Sequence, residues 1–131
     1  MGEGSGRCRL PVTDALDSSA LQALRASVGD DTEFLAELVT TFLTDAPQQL
    51  VELRAAVASG NADEVERGAH TLKSNAATFG IVRLADICRD LEDRASHGNL
   101  DDAEALVAAI DEALAEARPA LEALTLLDAA P

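Results

Sequence analysis

This sequence predicts an all-α protein, and three observations carry the prediction. Ala, Leu, Glu and Asp dominate while Gly and Pro are sparse, a composition that favours helix over strand. Apolar residues recur at spacings of three and four, the period of one helix face. No segment alternates apolar and polar residues as a half-buried strand does, so nothing suggests a nucleotide-binding α/β sheet. With 131 residues, no Trp or Tyr and only three Phe, the chain is one domain able to bury an aliphatic core without staples.

The elements follow in order. A first helix is expected from about Asp14 to Ser27, with Leu21, Leu24 and Val28 inward and a stop at VGDD. In DTEFLAELVTTFLTDA, Asp30 and Glu33 have capping-box spacing, and Phe34, Leu38 and Phe42 form the expected buried stripe. Pro47 marks a break or bend, since proline is tolerated in a first turn but not in a helix interior. A third segment, PQQLVELRAAVAS, buries Leu50, Leu53 and Val57 and stops at Gly60. The fourth has Asn61 as N-cap, Glu64 three residues on, and Gly80 as its stop. The fifth places Leu84, Ile87, Cys88, Leu91 and Ala95 on one side and ends at Gly98. The last starts near Asn99 and carries Ala103, Leu106, Ile110, Leu114, Leu121 and Leu124, with Pro119 expected to kink it. Loops this short favour antiparallel neighbours, so the last three or four helices are expected to form an up-and-down bundle with the earlier ones packed against it. Residues 1–13 read as a flexible N-terminal tail or linker, 14–126 as the helical domain and 127–131 as a C-terminal tail. The opening MGEGSG has the composition of a linker, which would make this domain a piece of a longer protein.

Charge excludes several functions. A formal net charge of −14 works against nucleic acid and anionic membranes, which need a basic footprint. No apolar run approaches the roughly 18 to 20 residues that span a bilayer, so direct membrane insertion is not expected. Cys8 and Cys88 match neither a disulfide framework nor a zinc site, and a cytoplasmic location is the default. Cys88 reads as a small core residue. No metal site is expected. His97, just before Gly98, reads as a helix-end residue favourable to the dipole.

The informative stretch is RGAHTLKSNAATFG, Arg67 to Gly80, which holds His70, one of two histidines, and Lys73, the only lysine. At about 100° per residue, Val65, Ala69, Leu72, Ala76 and Phe79 fall within about 40° of one line, a stripe facing the core. On the same wheel Lys73 lies about 80° away, Ala77 about 120°, His70 about 140°, Ser74 about 180° and Arg67 about 200°. His70 therefore faces water, beside a cation, with small side chains along its ridge that let another protein approach. From Val65 to Arg83 the basic residues Arg67, Lys73 and Arg83 face Glu66 alone, so an anion is expected to be tolerated here. The flexible lysine stem suits a compact ammonium to a mobile phosphoryl group.

These residues resemble the histidine-containing phosphotransfer (HPt) domain of two-component phosphorelays. The family pattern is His-x-x-Lys-Gly within a helix, with Leu before the Lys and a Gly following. His70, Leu72, Lys73 and Gly80 match it, and the likeness covers roughly Asp14 to Leu124. The sequence departs from the pattern at Ser74, where the family has Gly; serine is still small.

What the resemblance implies is an antiparallel four-helix bundle, here with additional N-terminal helices packed against it. Its exposed histidine would accept a phosphoryl group from an aspartyl phosphate on a response-regulator receiver domain and pass it to another receiver. On this reading His70 is phosphorylated, the resemblance favouring Nε2. A neutral imidazole, with unperturbed pKa near about 6.5, has the free lone pair this requires. Lys73 would support the phosphate with a charge-assisted hydrogen bond worth about 1.5 to 3 kcal/mol, and Arg67, Ser74, Asn75 and Ala77 would form the docking face. Magnesium would belong to the receiver and the chain itself would need no cofactor. It would be a monomeric carrier and not an enzyme, with receivers or a hybrid histidine kinase as partners. Two alternatives stay open: a helical adaptor that binds a receiver or kinase without carrying phosphate, and the phosphotransfer domain of a chemotaxis-type histidine kinase.

Overall fold

The computed structural model describes residues 16–29 and 31–129, the side chains of Thr32 and of residues 124–129 excepted. Among these residues there are five helices and no strand: α1 Ser18–Ser27, α2 Thr32–Ala58, α3 Ala62–Thr78, α4 Val82–Ser96 and α5 Ala103–Ala129. None of them is long and apolar enough to cross a membrane. Packing runs from α2 to α3, α3 to α4, α4 to α5 and back from α5 to α2, which closes a four-helix ring.

Cross-helix contacts give the directions. Arg54 pairs with Asp111 at 3.0 Å, whereas Arg118, further along α5, reaches the earlier Leu43 carbonyl at 3.4 Å. Between α4 and α5, Arg94 meets Asp102 and the earlier Arg83 meets the later Glu116. Neighbours are thus antiparallel, as short connections require. Among the described residues only α1 stands outside the ring, packed against α3.

A single aliphatic core fills the bundle. Val39, Leu53, Val65, Leu72, Leu84, Cys88, Leu91, Ile110 and Leu121 are essentially inaccessible. Phe42 and Phe79 meet there with ring centroids 5.1 Å apart and planes tilted by 37°, an arrangement aromatic quadrupoles favour over a stacked sandwich.

The structure corrects several expectations. α1 starts at Ser18, with Asp17 as the N-cap accepting from the Ala20 N–H at 3.3 Å; Asp14 lies outside the described residues. The cap of α2 is Asp31, whose carboxylate accepts from the Phe34 N–H at 3.1 Å; Asp30 also lies outside the described residues. Phe34 is exposed, and the buried stripe of α2 is Leu35, Val39, Phe42, Ala46, Leu50, Leu53 and Ala56. The expected Phe34–Leu38–Phe42 spacing advances by four each time and drifts around the helix, whereas the true stripe mixes steps of three and four. Val57, Ile87 and Leu106 are half-buried edge residues, and the Leu124 side chain lies outside the described set.

The larger correction concerns Pro47. The second and third predicted helices are one helix, α2, running through Pro47. Proline removes the N–H that would bond the carbonyl four residues earlier, here Leu43. The Arg118 guanidinium on α5 donates to that carbonyl instead. Two short outer helices therefore become one full bundle member, and among the described residues α1 alone is additional. Pro119 likewise lies within α5, where it and Ala115 face solvent.

Gly80 closes α3 and anchors α1. Its φ is +73°, and its carbonyl accepts the Asp17 N–H at 2.6 Å. A Cβ there would lie 2.8 Å from the Asp17 carbonyl oxygen and 2.9 Å from its nitrogen. Gly98, with the same φ, has open space around it. We therefore expect Gly80→Ala to destabilise the fold by about 1 to 3 kcal/mol, with a clearly lower Tm. Gly98→Ala carries the dihedral cost alone and should lower Tm less. Equal shifts in parallel thermal melts would mean that the Asp17 contact contributes nothing.

Candidate functional site

The site is built on α3, whose two ends are both fixed. Asn61 caps the start, its side-chain oxygen accepting from the Glu64 N–H at 3.2 Å, and Asp63 and Glu64 occupy the first turn, where carboxylates complement the helix dipole. At the other end the Ile81 N–H donates to the Ala76 carbonyl at 2.9 Å and the Gly80 N–H to Ala77 at 3.1 Å, the paired bonds of a Schellman motif. Between these ends the buried stripe is Val65, Ala69, Leu72 and Ala76, as the wheel predicts. That stripe sets the rotation of α3 about its axis.

His70 accordingly projects outward with its side chain 60% exposed. Its ring is held at one edge, since Nδ1 lies 2.8 Å from Glu92 Oε2. The other oxygen of the same carboxylate lies 2.6 Å from Lys73 Nζ. Glu92 comes from α4 and is four-fifths covered, while Lys73 is 30% exposed. One carboxylate thus bridges the imidazole and the ammonium, and Nε2 is the ring nitrogen left open.

The Lys73 hydrogen bond holds the Glu92 carboxyl below the usual carboxylate range, with a smaller contribution from His70, against the opposing effect of burial. As an ionised carboxylate Glu92 can only accept, so Nδ1 carries a hydrogen, and in the neutral ring the lone pair is therefore on Nε2. Beneath this bridge, Cys88 is fully buried. Burial, then the nearby Glu92, push its thiol up to about 12, so it is an inert core residue.

Sequence reasoning missed Glu92, which is 22 residues from His70 in the chain. A signal was available. On the α4 wheel Glu92 lies about 80° from the buried Leu84–Cys88–Leu91 stripe, the same flank offset as Lys73 on α3. Two antiparallel helices joined by a tight turn bring such flanks together.

The expected docking residues divide. Arg67 is exposed and pairs with Glu64 at 3.6 Å; Ser74 and Ala77 are exposed along the ridge of His70. Asn75 is half-buried and lies about 140° around the helix from His70, off that ridge. The expected local excess of positive charge is met by carboxylates from elsewhere: Lys73 by Glu92, and Arg83 by Glu116 at 2.6 Å and Glu112 at 3.8 Å. Arg83 faces α5 and takes no part in the site. His97 caps α4, its Nδ1 2.8 Å from the Asp93 carbonyl oxygen.

Fold and site together define a class: a helical bundle presenting one tethered, solvent-facing imidazole with an ammonium beside it. The Hpt domain family model matches residues 37–120, and the chain belongs to the Hpt family. Its fold is similar to that of histidine-containing phosphotransfer protein B (HptB) from Pseudomonas aeruginosa PAO1, with TM-score 0.79, 30% identity, 88% of this chain covered and 97% of that one. No curated protein matches the chain. The role that accompanies this family is histidine phosphotransfer in a phosphorelay.

Glu92 also links the site to stability. Its folded pKa is depressed, so its contribution is present above the ordinary carboxylate range and is lost as pH falls through the folded value. Glu92→Gln should cost on the order of 1 kcal/mol at neutral pH, and urea-unfolding curves of the two proteins should converge on acidification through that value. A gap that stayed constant with pH would mean that the Lys73 pair does not contribute.

Proposed function

We propose that the chain is a phosphorelay intermediate in which His70 accepts a phosphoryl group from the aspartyl phosphate of a receiver domain and passes it to another receiver. The observation that carries this reading is the state of the ring: well exposed and tied through Nδ1 to Glu92, which leaves Nε2 as the nitrogen for a partner to reach.

The chemistry follows from that state. The Nε2 lone pair attacks phosphorus in line, the N–P bond forms, and the P–O bond to the aspartate breaks with its electron pair leaving on the carboxylate. No proton has to move, because the nucleophilic nitrogen carries none. The ring becomes a cation that faces the Glu92 carboxylate. Transfer of this kind depends chiefly on positioning and on neutralising the phosphoryl oxygens. Lys73 is placed to assist, although it starts from an ion pair and must share or leave Glu92 to reach the phosphoryl group. Magnesium would be brought by the receiver. Ser74 and Ala77 give the partner a ridge with little side-chain bulk beside the ring, and Arg67 adds a guanidinium to the same face.

The test is incubation with a receiver domain carrying labelled aspartyl phosphate. Label should pass to the wild-type chain and not to His70→Gln. Lys73→Ala should slow transfer or shorten the lifetime of the phosphohistidine about tenfold, as loss of one charge-assisted hydrogen bond implies, with helicity intact. Ser74→Gly should transfer normally, while Ser74→Trp should block transfer by holding the partner away. Binding without label would identify an adaptor, and unimpaired transfer to Ser74→Trp would move the docking surface elsewhere.

A further inference from the structure

We propose that Glu92 keeps Nδ1 of the phosphorylated His70 ring protonated, so that the phosphoryl group is carried in its readily transferable, imidazolium-linked form. The inference rests on the phosphotransfer reading above and adds to it a positioning residue that governs the second half of the reaction, release.

Consider the phosphorylated ring. With Nε2 bonded to phosphorus, the ring can keep or lose the hydrogen on Nδ1. In onward transfer an oxygen of the acceptor aspartate bonds to phosphorus, the N–P bond breaks, and its electron pair returns to Nε2. If Nδ1 is protonated, the departing group is neutral imidazole. If not, the departing group is imidazolate, a far stronger base and a far poorer leaving group. The Nδ1 hydrogen therefore decides whether the carrier can discharge, and what faces Nδ1 sets its affinity for that hydrogen.

What faces it is Glu92 Oε2 at 2.8 Å. Lys73, at 2.6 Å from Oε1, keeps that carboxylate ionised. Charged groups around the ring come from two helices. From α3, Asp63, Glu66 and Arg67 line the open depression beside it, and α4 contributes Glu92. Arg67 is engaged by Glu64 and Lys73 by Glu92. No residue of α2 or α5 lines the depression. Carboxylates thus outnumber cations in the depression, with Glu92 at Nδ1 itself, and each favours the cationic ring. A neutral acceptor in place of Glu92 could hold the same tautomer before phosphorylation, but it would support the cation less well afterwards. That difference separates a charge role for Glu92 from a purely geometric one.

The experiment uses the whole chain with 15N-labelled histidine, phosphorylated by potassium phosphoramidate so that no protein partner is needed. The Nδ1 titration of the phosphorylated ring is followed by 15N and 31P NMR in wild type, Glu92→Gln and Glu92→Leu, with His70→Gln identifying the site. The wild-type midpoint should lie above that of Glu92→Leu by about one pH unit, tenfold in proton affinity, with Glu92→Gln between them. At mildly alkaline pH the wild type should discharge to a magnesium-loaded receiver domain about tenfold faster than Glu92→Leu, in proportion to its protonated fraction. Coincident midpoints and discharge rates in folded variants would overturn the proposal. If Glu92→Leu does not fold, the near-isosteric Glu92→Gln decides alone, through a midpoint lowered or equal to wild type. A wild-type chain that takes no phosphoryl group on His70 would instead overturn the phosphotransfer reading itself.

Discussion

The rotational setting of α3 is the constraint from which the site follows. Five apolar side chains, Val65, Ala69, Leu72, Ala76 and Phe79, are buried along one side of it. A helix that turned by a quarter to hide His70 would expose these and leave a polar ring among aliphatics, and both changes are unfavourable. The antiparallel seating of α4 against the same stripe then brings Glu92 beside Lys73 and His70. Position of the imidazole, engagement of its Nδ1 and placement of the ammonium are thus outcomes of core packing, reached without a loop.

Electrostatically the molecule is an acidic body whose cations near the site are already spoken for. Lys73 and Arg67 each meet a carboxylate. Such a surface does not hold a phosphate anion tightly on its own account, which suits a carrier better than a phosphate-binding protein. A carrier has to give up what it takes, so strong fixed charge around the phosphoryl oxygens would favour the loaded state and hinder release.

Much of this was legible in the sequence because it depends on local periodicity. The α3 stripe, its Asn61 cap and its Gly80 stop are all read from residues within one helix, and with them the outward direction of His70. What escaped depended on distant residues. Glu92 enters the site through the α3–α4 pairing. Phe34 looked like core because a large apolar side chain at a spacing of four mimics a stripe, whereas Leu35 next to it is the residue that turns inward. The unity of α2 could not be read locally at all, since Pro47 is a break by every nearby signal and the group that replaces its missing hydrogen bond, Arg118, is 75 residues beyond the Leu43 carbonyl it meets.

That last contact has a consequence for how the domain comes together. Without α5, the Leu43 carbonyl in the middle of α2 would be left to water, so the seating of α2 draws on a donor from the last helix. The final helix completes the first member of the ring, which ties the two halves of the folded chain to each other. A chain ending before Arg118 would lack the side chain that answers that carbonyl.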